Sequence, residues 1–169
     1  MELEEAIRTR RTHKVFAPEP VPRELLDELF ELARWAPNHH LTNPWRFRVL
    51  GPRALERLKQ AAGPDSAGKL DRAPTLVAAT AVRADDPVQD EEDLLATACA
   101  TYIVLLAAHG RGLVGYWRTP EVLRTDKGLA ALGIPPQERF VALIHLGGPR
   151  QEKEAPERAP ADEIAEYLD

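Results

Sequence analysis

An α+β domain is the fold class this chain predicts, and three observations carry the expectation. Stretches with apolar residues at helical spacing are interleaved with four short apolar runs of strand length. Prolines fall mostly between those stretches or at their first positions. At 169 residues the chain suits one domain, expected to span 1–169, which would bury roughly two thirds of its unfolded surface.

Taken in order, Glu2 to Arg10 carries Leu3, Ala6 and Ile7 at helical spacing, so a short helix should run into the basic segment Arg8-Thr9-Arg10-Arg11-Thr12-His13-Lys14. Pro18, Pro20 and Pro22 then impose an extended stretch, because proline lacks an amide donor and turns the residue before it away from helix. From Arg23 to Trp35, Leu25, Leu26, Leu29, Phe30, Leu32 and Ala33 form a stripe opposite Asp27, Glu28, Glu31 and Arg34. That pattern is an amphipathic helix, ended by Pro37. Arg46 to Leu50 reads as a strand, Pro52 to Ala62 as a surface helix, and Pro74 to Val82 as a buried strand.

The acidic stretch Asp85 to Asp93 predicts a mobile loop leading into a helix start, where carboxylates face the positive end of the dipole. Leu94 to Ala108 should be a helix with almost no polar face, and such a helix must be covered all round. A domain this small can hardly do that alone, so a second copy of the chain is the simplest cover. His109-Gly110-Arg111-Gly112 supplies the stop. Leu113 to Trp117 and Phe140 to Leu146 are two more expected strands, separated by a helix-and-turn stretch from Glu121 to Pro136. The tail from Gln151 to Asp169 is charged and rich in proline, which predicts either disorder or a wrap around a neighbour.

Bulk properties narrow the function. A net charge of −5 argues against a nucleic-acid platform, which needs phosphate neutralisation over a broad face. No apolar run approaches the ~20 residues of a membrane span, and Met1-Glu2-Leu3-Glu4-Glu5 is not a signal peptide, so a cytoplasmic protein with no membrane partner is expected. Cys99 is the single cysteine and reads as a buried thiol. Arginine-rich, proline-rich composition suits a thermophile, and a GC-rich genome produces the same bias.

Arg10, Arg11 and Thr12 follow a helix and precede an extended segment, so two guanidiniums and a hydroxyl can converge on a phosphate dianion. Taken alone, the same residues also read as a solvated helix end. Trp35, Asn38, His39, His40 and Asn43 form a polar, aromatic loop before Pro44-Trp45. No further metal ligand stands at suitable spacing, so no metal is expected. Asn43 can offer its amide to the edge of a heterocycle or bond its own backbone. Gly115-Tyr116-Trp117-Arg118-Thr119-Pro120 ends a strand with aromatics, a guanidinium and a hydroxyl, and Trp117 reads equally as core or ligand contact. Neither a dinucleotide Gly-x-Gly-x-x-Gly turn, a phosphate-loop lysine nor a Gly-x-Ser-x-Gly elbow is present.

Together these residues resemble the FMN-dependent nitroreductase family, in its short, minimal branch. The likeness runs through Ile7 to Phe16, Pro20-Val21-Pro22, Ala33-Arg34-Trp35-Ala36-Pro37, Asn43-Pro44-Trp45-Arg46-Phe47, the apolar central helix, Gly112-Leu113-Val114-Gly115 and Leu146-Gly147-Gly148-Pro149. That is nearly the whole chain. The resemblance implies a mixed, largely antiparallel sheet flanked by helices, in an intertwined homodimer with an FMN at each interface site. It places Arg10, Arg11 and Thr12 at the FMN phosphate and Lys14 near the ring's N1–C2 carbonyl. Trp35, His39 and Asn43 approach the flavin bound mainly by the other subunit. Trp117, Arg118 and Thr119 line the ring, and a tail residue, Arg158, reaches the phosphate.

The chain departs from the family pattern in four ways. Thr12 stands for serine and keeps the hydroxyl, while Asn43 stands for glutamine and shortens the reach. Pro120 has no amide hydrogen, so a donor to flavin N5 must come from a neighbour such as Thr119. Lid-like insertions of longer members are missing, which implies an open pocket. The implied activity is ping-pong oxidoreduction: NADH or NADPH delivers a hydride to flavin N5, and a nitroaromatic, quinone or other small-molecule acceptor takes the electrons. No protein acid or base is implied. Rival readings are a flavoprotein of this fold acting on flavin or on halogenated or enone substrates, a flavin-binding protein without turnover, and an arginine-patch binding module with no cofactor.

Overall fold

A computed structural model of the chain describes residues 1–168. Its centre is a four-stranded sheet in the order β1 (Trp45–Val49), β2 (Thr75–Val82), β4 (Glu138–Gly147), β3 (Val114–Arg118), with every neighbouring pair antiparallel. The mixed character expected of the sheet is confined to one isolated parallel bridge, Thr12 to Gly115.

Strand alternation divides the core in two. Val77, Ile144 and Leu146 point to one side, beneath α2 (Arg23–Ala33) and α5 (Pro87–Gly110), and meet Leu26, Leu29, Ala100, Val104 and Leu105 there. Leu76, Ala78 and Leu143 point to the other side and pack with Leu58 of α3 (Pro52–Ala62), Leu70 and Leu123. Short α1 (Leu3–Thr9), α4 (Pro64–Ala67) and α6 (Asp126–Ala131) complete the helices. The Pro52–Ala62 helix has the predicted bounds, set by Pro52 at its first turn and by Gly63 beyond its end.

α5 starts earlier than its apolar pattern suggests. In place of the expected mobile loop from Asp85 to Asp93, Asp86 caps the helix by accepting from the amides of Val88 and Gln89, with Pro87 in the first turn. Local capping, not apolar spacing, fixes this end. At 24 residues α5 also reaches the length and composition of a membrane span, contrary to the expectation that no run would. Here it is the central helix of the domain, with Asp93, Ala96, Thr97, Ala100, Thr101, Val104, Leu105 and Ala108 buried along one face.

The described residues leave part of the opposite face of α5 exposed. Leu95 is 59% exposed and Tyr102 40%, and Cys99, expected to be buried, is exposed beside them. Residues 151–168 form an exposed tail with one short turn at Ala161–Glu163. Ile164, Tyr167 and Leu168 stand free in it. Asp169, the last residue of the predicted tail, lies outside the described residues.

Candidate functional site

The basic segment lies along the start of β3. The Thr12–Gly115 bridge and a bond from the His13 amide to the Gly115 carbonyl (3.1 Å) hold it there. Gly115 stands at a close approach: a Cβ at that position would sit 2.5 Å from Cδ2 of Leu105 on α5, so that side chain would have to move. Further along, Phe16 bridges Pro149 and the Ala17 amide donates to Gly148 at 2.9 Å. These contacts bring the segment against the C-terminal end of β4.

Positive groups crowd this strip. The Arg10 guanidinium lies 5.8 Å from the centre of the Tyr102 ring, a cation–π contact with α5. Arg11 donates from Nη1 to the Arg10 carbonyl at 2.7 Å, while its Nε is buried with no hydrogen-bond partner among the described residues. Lys153 reaches in from the tail and donates to the Thr12 carbonyl at 2.7 Å. His109, at the end of α5, contacts Thr9 Oγ1 through Nε2 at 2.8 Å. The Thr9 hydroxyl spends its one proton on the Glu5 carbonyl at 2.6 Å, so His109 Nε2 is the donor in this pair. His13 is buried, and its Nδ1 has no partner among the described residues.

Electrostatics follow from that crowding. Burial, then the charges of Lys153, His109 and Arg10, hold the His13 imidazole below its usual pKa. Burial, then Arg10 and Arg11, does the same to His109, with Glu5 opposing. A buried guanidinium nitrogen without a partner among the described residues and two imidazoles pressed toward neutrality describe a strip whose cations outweigh its one named carboxylate, Glu5. An incoming phosphate fits it.

Trp35, His39 and Asn43 lie toward the other end of α5. The loop is fastened there by Asp93, whose Oδ1 accepts from the Thr42 hydroxyl (2.5 Å) and the Gln89 amide (3.0 Å), and by His39 Nδ1 against Glu92 at 2.7 Å. Ten residues separate Glu92 from Tyr102, about 15 Å along the helix axis. His40, Leu41 and Asn43 take left-handed backbone (φ 53°, 51° and 47°), at a cost of roughly 1–2 kcal/mol each. Such strain concentrates at ligand-binding loops. Asn43 bonds locally, donating to the Leu41 carbonyl at 2.7 Å, and Trp35 projects 77% exposed.

The strand end divides its three candidates. Trp117 packs partly against the α2–α5 core. Arg118 leaves the opposite face, donates to the Lys69 carbonyl at 3.0 Å and lies 5.9 Å from the Tyr116 ring centre. It lines a cavity of about 330 Å³ with Ser66, Lys69, Glu121 and Thr125. Strand alternation forces this split, so consecutive side chains 117 and 118 do not share one ring-facing surface. Thr119 is exposed beyond the strand, and Arg158 is exposed in the tail.

His109, His13, Lys153 and Asp93 are the residues that sequence reasoning passed over. His109 falls seven residues after Tyr102, on the same helical face, which is a signal that could have been used. Lys153, 141 residues from Thr12, left none.

An antiparallel sheet with helices on both sides, a basic segment against the first residues of β3 and an aromatic loop across α5 define a protein of the nitroreductase fold. The sequence model described as the nitroreductase family matches residues 7–67. A protein of Archaeoglobus fulgidus bearing the name "Putative NADH dehydrogenase/NAD(P)H nitroreductase" is 30% identical over 166 residues, which cover 94% of this chain and 93% of that one. Among solved structures, a nitroreductase-like family protein of Bacillus cereus superposes with a TM-score of 0.90 at 23% identity, covering 99% of this chain and 96% of its own. The FMN and NADPH-dependent nitroreductase NfnB of Sphigopyxis sp. strain HMH superposes with a TM-score of 0.84 at 16% identity, covering the whole of both chains. The chain belongs to the nitroreductase family.

Proposed function

We propose that this member of the family is an FMN-dependent NAD(P)H oxidoreductase that reduces nitroaromatic, quinone or related acceptors by a ping-pong mechanism. The observation that carries the reading is the strip around Thr12. Arg10, Arg11, His13, His109 and Lys153 surround it, and the buried Arg11 Nε lacks a partner among the described residues. FMN, once bound, supplies a carrier that takes a hydride from the nicotinamide and releases the electrons to the acceptor.

In this reading the chain's own residues bind and orient. Arg10, Arg11 and the Thr12 hydroxyl hold the phosphate with charge-assisted bonds, and Lys14 stands at the N1–C2 side of the ring. Trp35, His39 and Asn43 of a second copy close the ring from outside. Their place far along α5 from the phosphate strip, and the uncovered apolar face of that helix, favour a site shared between two copies. Trp117 and Thr119 border the ring, with the Thr119 amide the donor that Pro120 cannot be.

Purified protein should be yellow, bleach anaerobically with NADH or NADPH, and recover its colour on adding a nitroaromatic or quinone. Bound flavin that never bleaches would mark a flavin store, and failure to bind FMN would sink the reading altogether. Parallel double-reciprocal lines test the ping-pong step, since donor and acceptor occupy one site in turn.

A further inference from the structure

We propose that His109, with His13 behind it, forms part of the anion-binding group and takes up a proton from solvent as the phosphate docks. The inference rests on the reading that Arg10, Arg11 and Thr12 hold the FMN phosphate. Its basis is position. His109 closes the end of α5 against Thr9, and its Nε2–H is committed to that hydroxyl. In the neutral ring Nδ1 then has a lone pair and no hydrogen, so it cannot donate to an anion. Adding a proton converts Nδ1 into a second donor and the ring into a cation. His13 is 6% exposed, and its Nδ1 has no partner among the described residues.

The groups that face this pair make the proton conditional. From α1 comes one carboxylate, Glu5; from the segment that follows it, Arg10 and Arg11; from α5, Tyr102 beneath Arg10; and from the tail, Lys153. Without an anion the cations outnumber Glu5, and both imidazoles are held below their ordinary pKa. A dianion placed among the same groups cancels their net positive charge, and opposite charge at close range favours the imidazolium and raises the imidazole pKa. Proton uptake on binding means that affinity for an anion of constant charge must fall as pH rises.

Sulfate is the suitable probe, because its charge stays constant where a phosphate monoester gains its second charge, near pH ~6. Histidine resonances of the full-length, flavin-free protein would be titrated by NMR with and without sulfate. In parallel, sulfate affinity would be measured from pH ~5.5 to ~8, where each linked proton weakens binding by up to about tenfold per pH unit. The expected result is an upward shift of the His109 titration on adding sulfate, and a pH slope that His109→Gln flattens. Glutamine keeps a donor for Thr9 but cannot charge. FMN should shift the same resonances, and riboflavin, lacking the phosphate, should not.

A His109 titration unmoved by sulfate overturns the proposal, as does a slope unchanged in both His109→Gln and His13→Asn. Arg10→Ala separates the two layers of argument. If that variant binds sulfate and FMN as the parent does, the phosphate reading fails and the proposal with it. If it loses both while the histidines of the parent stay unshifted, only the proposal falls.

Discussion

Lys153 donates from Nζ to the carbonyl oxygen of Thr12 at 2.7 Å, which ties the tail to the basic segment across 141 residues of chain. That one contact brings an ammonium group of the tail, rather than the guanidinium of Arg158, against the segment proposed to hold the phosphate.

The first prediction follows from it. Lys153→Ala should weaken FMN binding by about tenfold, near the lower end of a charged hydrogen bond, because the lysine is exposed and partly screened. Arg158→Ala should leave affinity within about twofold, since that side chain stands exposed in the tail. Equilibrium titration of both variants with FMN measures this, and the reverse order of effects would assign the contact to Arg158 instead.

The face of α5 left open by one chain gives the second. Leu95 is 59% exposed and outside the core, so Leu95→Glu should leave the fold intact. In a dimer that covers this face, the substitution forfeits roughly 1.5–3 kcal/mol of apolar burial and adds a buried carboxylate. Dissociation by at least tenfold is expected, read by light scattering against concentration. Ile103 is the poorer probe, because it packs partly on the chain's own core. A Leu95→Glu variant that dimerises like the parent would remove α5 from the interface.

Much of this architecture was legible in residue patterns, and the failures share a cause. The bounds of α3 followed from Pro52 and Gly63, and the strands from four apolar runs, because those signals are local. The first turns of α5 read as loop in the sequence because Asp86 and Pro87 start the helix ahead of its apolar pattern. Trp117 and Arg118 leave β3 on opposite faces, because a strand sends neighbours to opposite sides, and their adjacency in sequence does not show it. At the basic strip, Arg10, Arg11 and Thr12 are visible in the sequence as a cluster. Lys153 and His109 enter it only through tertiary folding, which no spacing rule encodes.

The third prediction concerns stability. Glu138 accepts from Arg48 through both carboxylate oxygens, at 2.7 and 2.8 Å, and from the Thr80 hydroxyl, joining β1, β2 and β4 beside the bulge at Ala79/Thr80. Burial alone pushes this carboxyl upward, but the bonds from Arg48 and Thr80 and the charges of Arg48 and Arg46 outweigh it and hold the pKa below 4.5. A carboxyl that ionises more readily folded than unfolded stabilises fully above pH 4.5 and loses that contribution as pH falls through its folded value. Glu138→Gln should therefore cost roughly 2–3 kcal/mol at neutral pH, less than a fully buried pair because the Arg48 side chain is 28% exposed. Urea midpoints of parent and variant should converge below pH 4.5. A gap independent of pH would assign the loss to packing instead.

The last prediction separates two ends of the basic segment. Arg10 is assigned to the phosphate, whose charge does not change when the flavin is reduced. Arg10→Ala should therefore weaken FMN binding by roughly 1.5–3 kcal/mol, ten- to a hundredfold, while bound flavin keeps its midpoint potential. The lower part of that range is the better expectation, because Arg10 already spends one face on Tyr102 and is part exposed. Lys14 is exposed and assigned beside N1, where negative charge develops only on reduction. A cation there favours the reduced state over the oxidised one, so Lys14→Met should lower the potential while costing less affinity for oxidised FMN. Flavin dissociation and a redox titration on each variant decide the matter. If Arg10→Ala moves the potential as far as Lys14→Met does, or Lys14→Met leaves it in place, the division of labour along this segment is wrong.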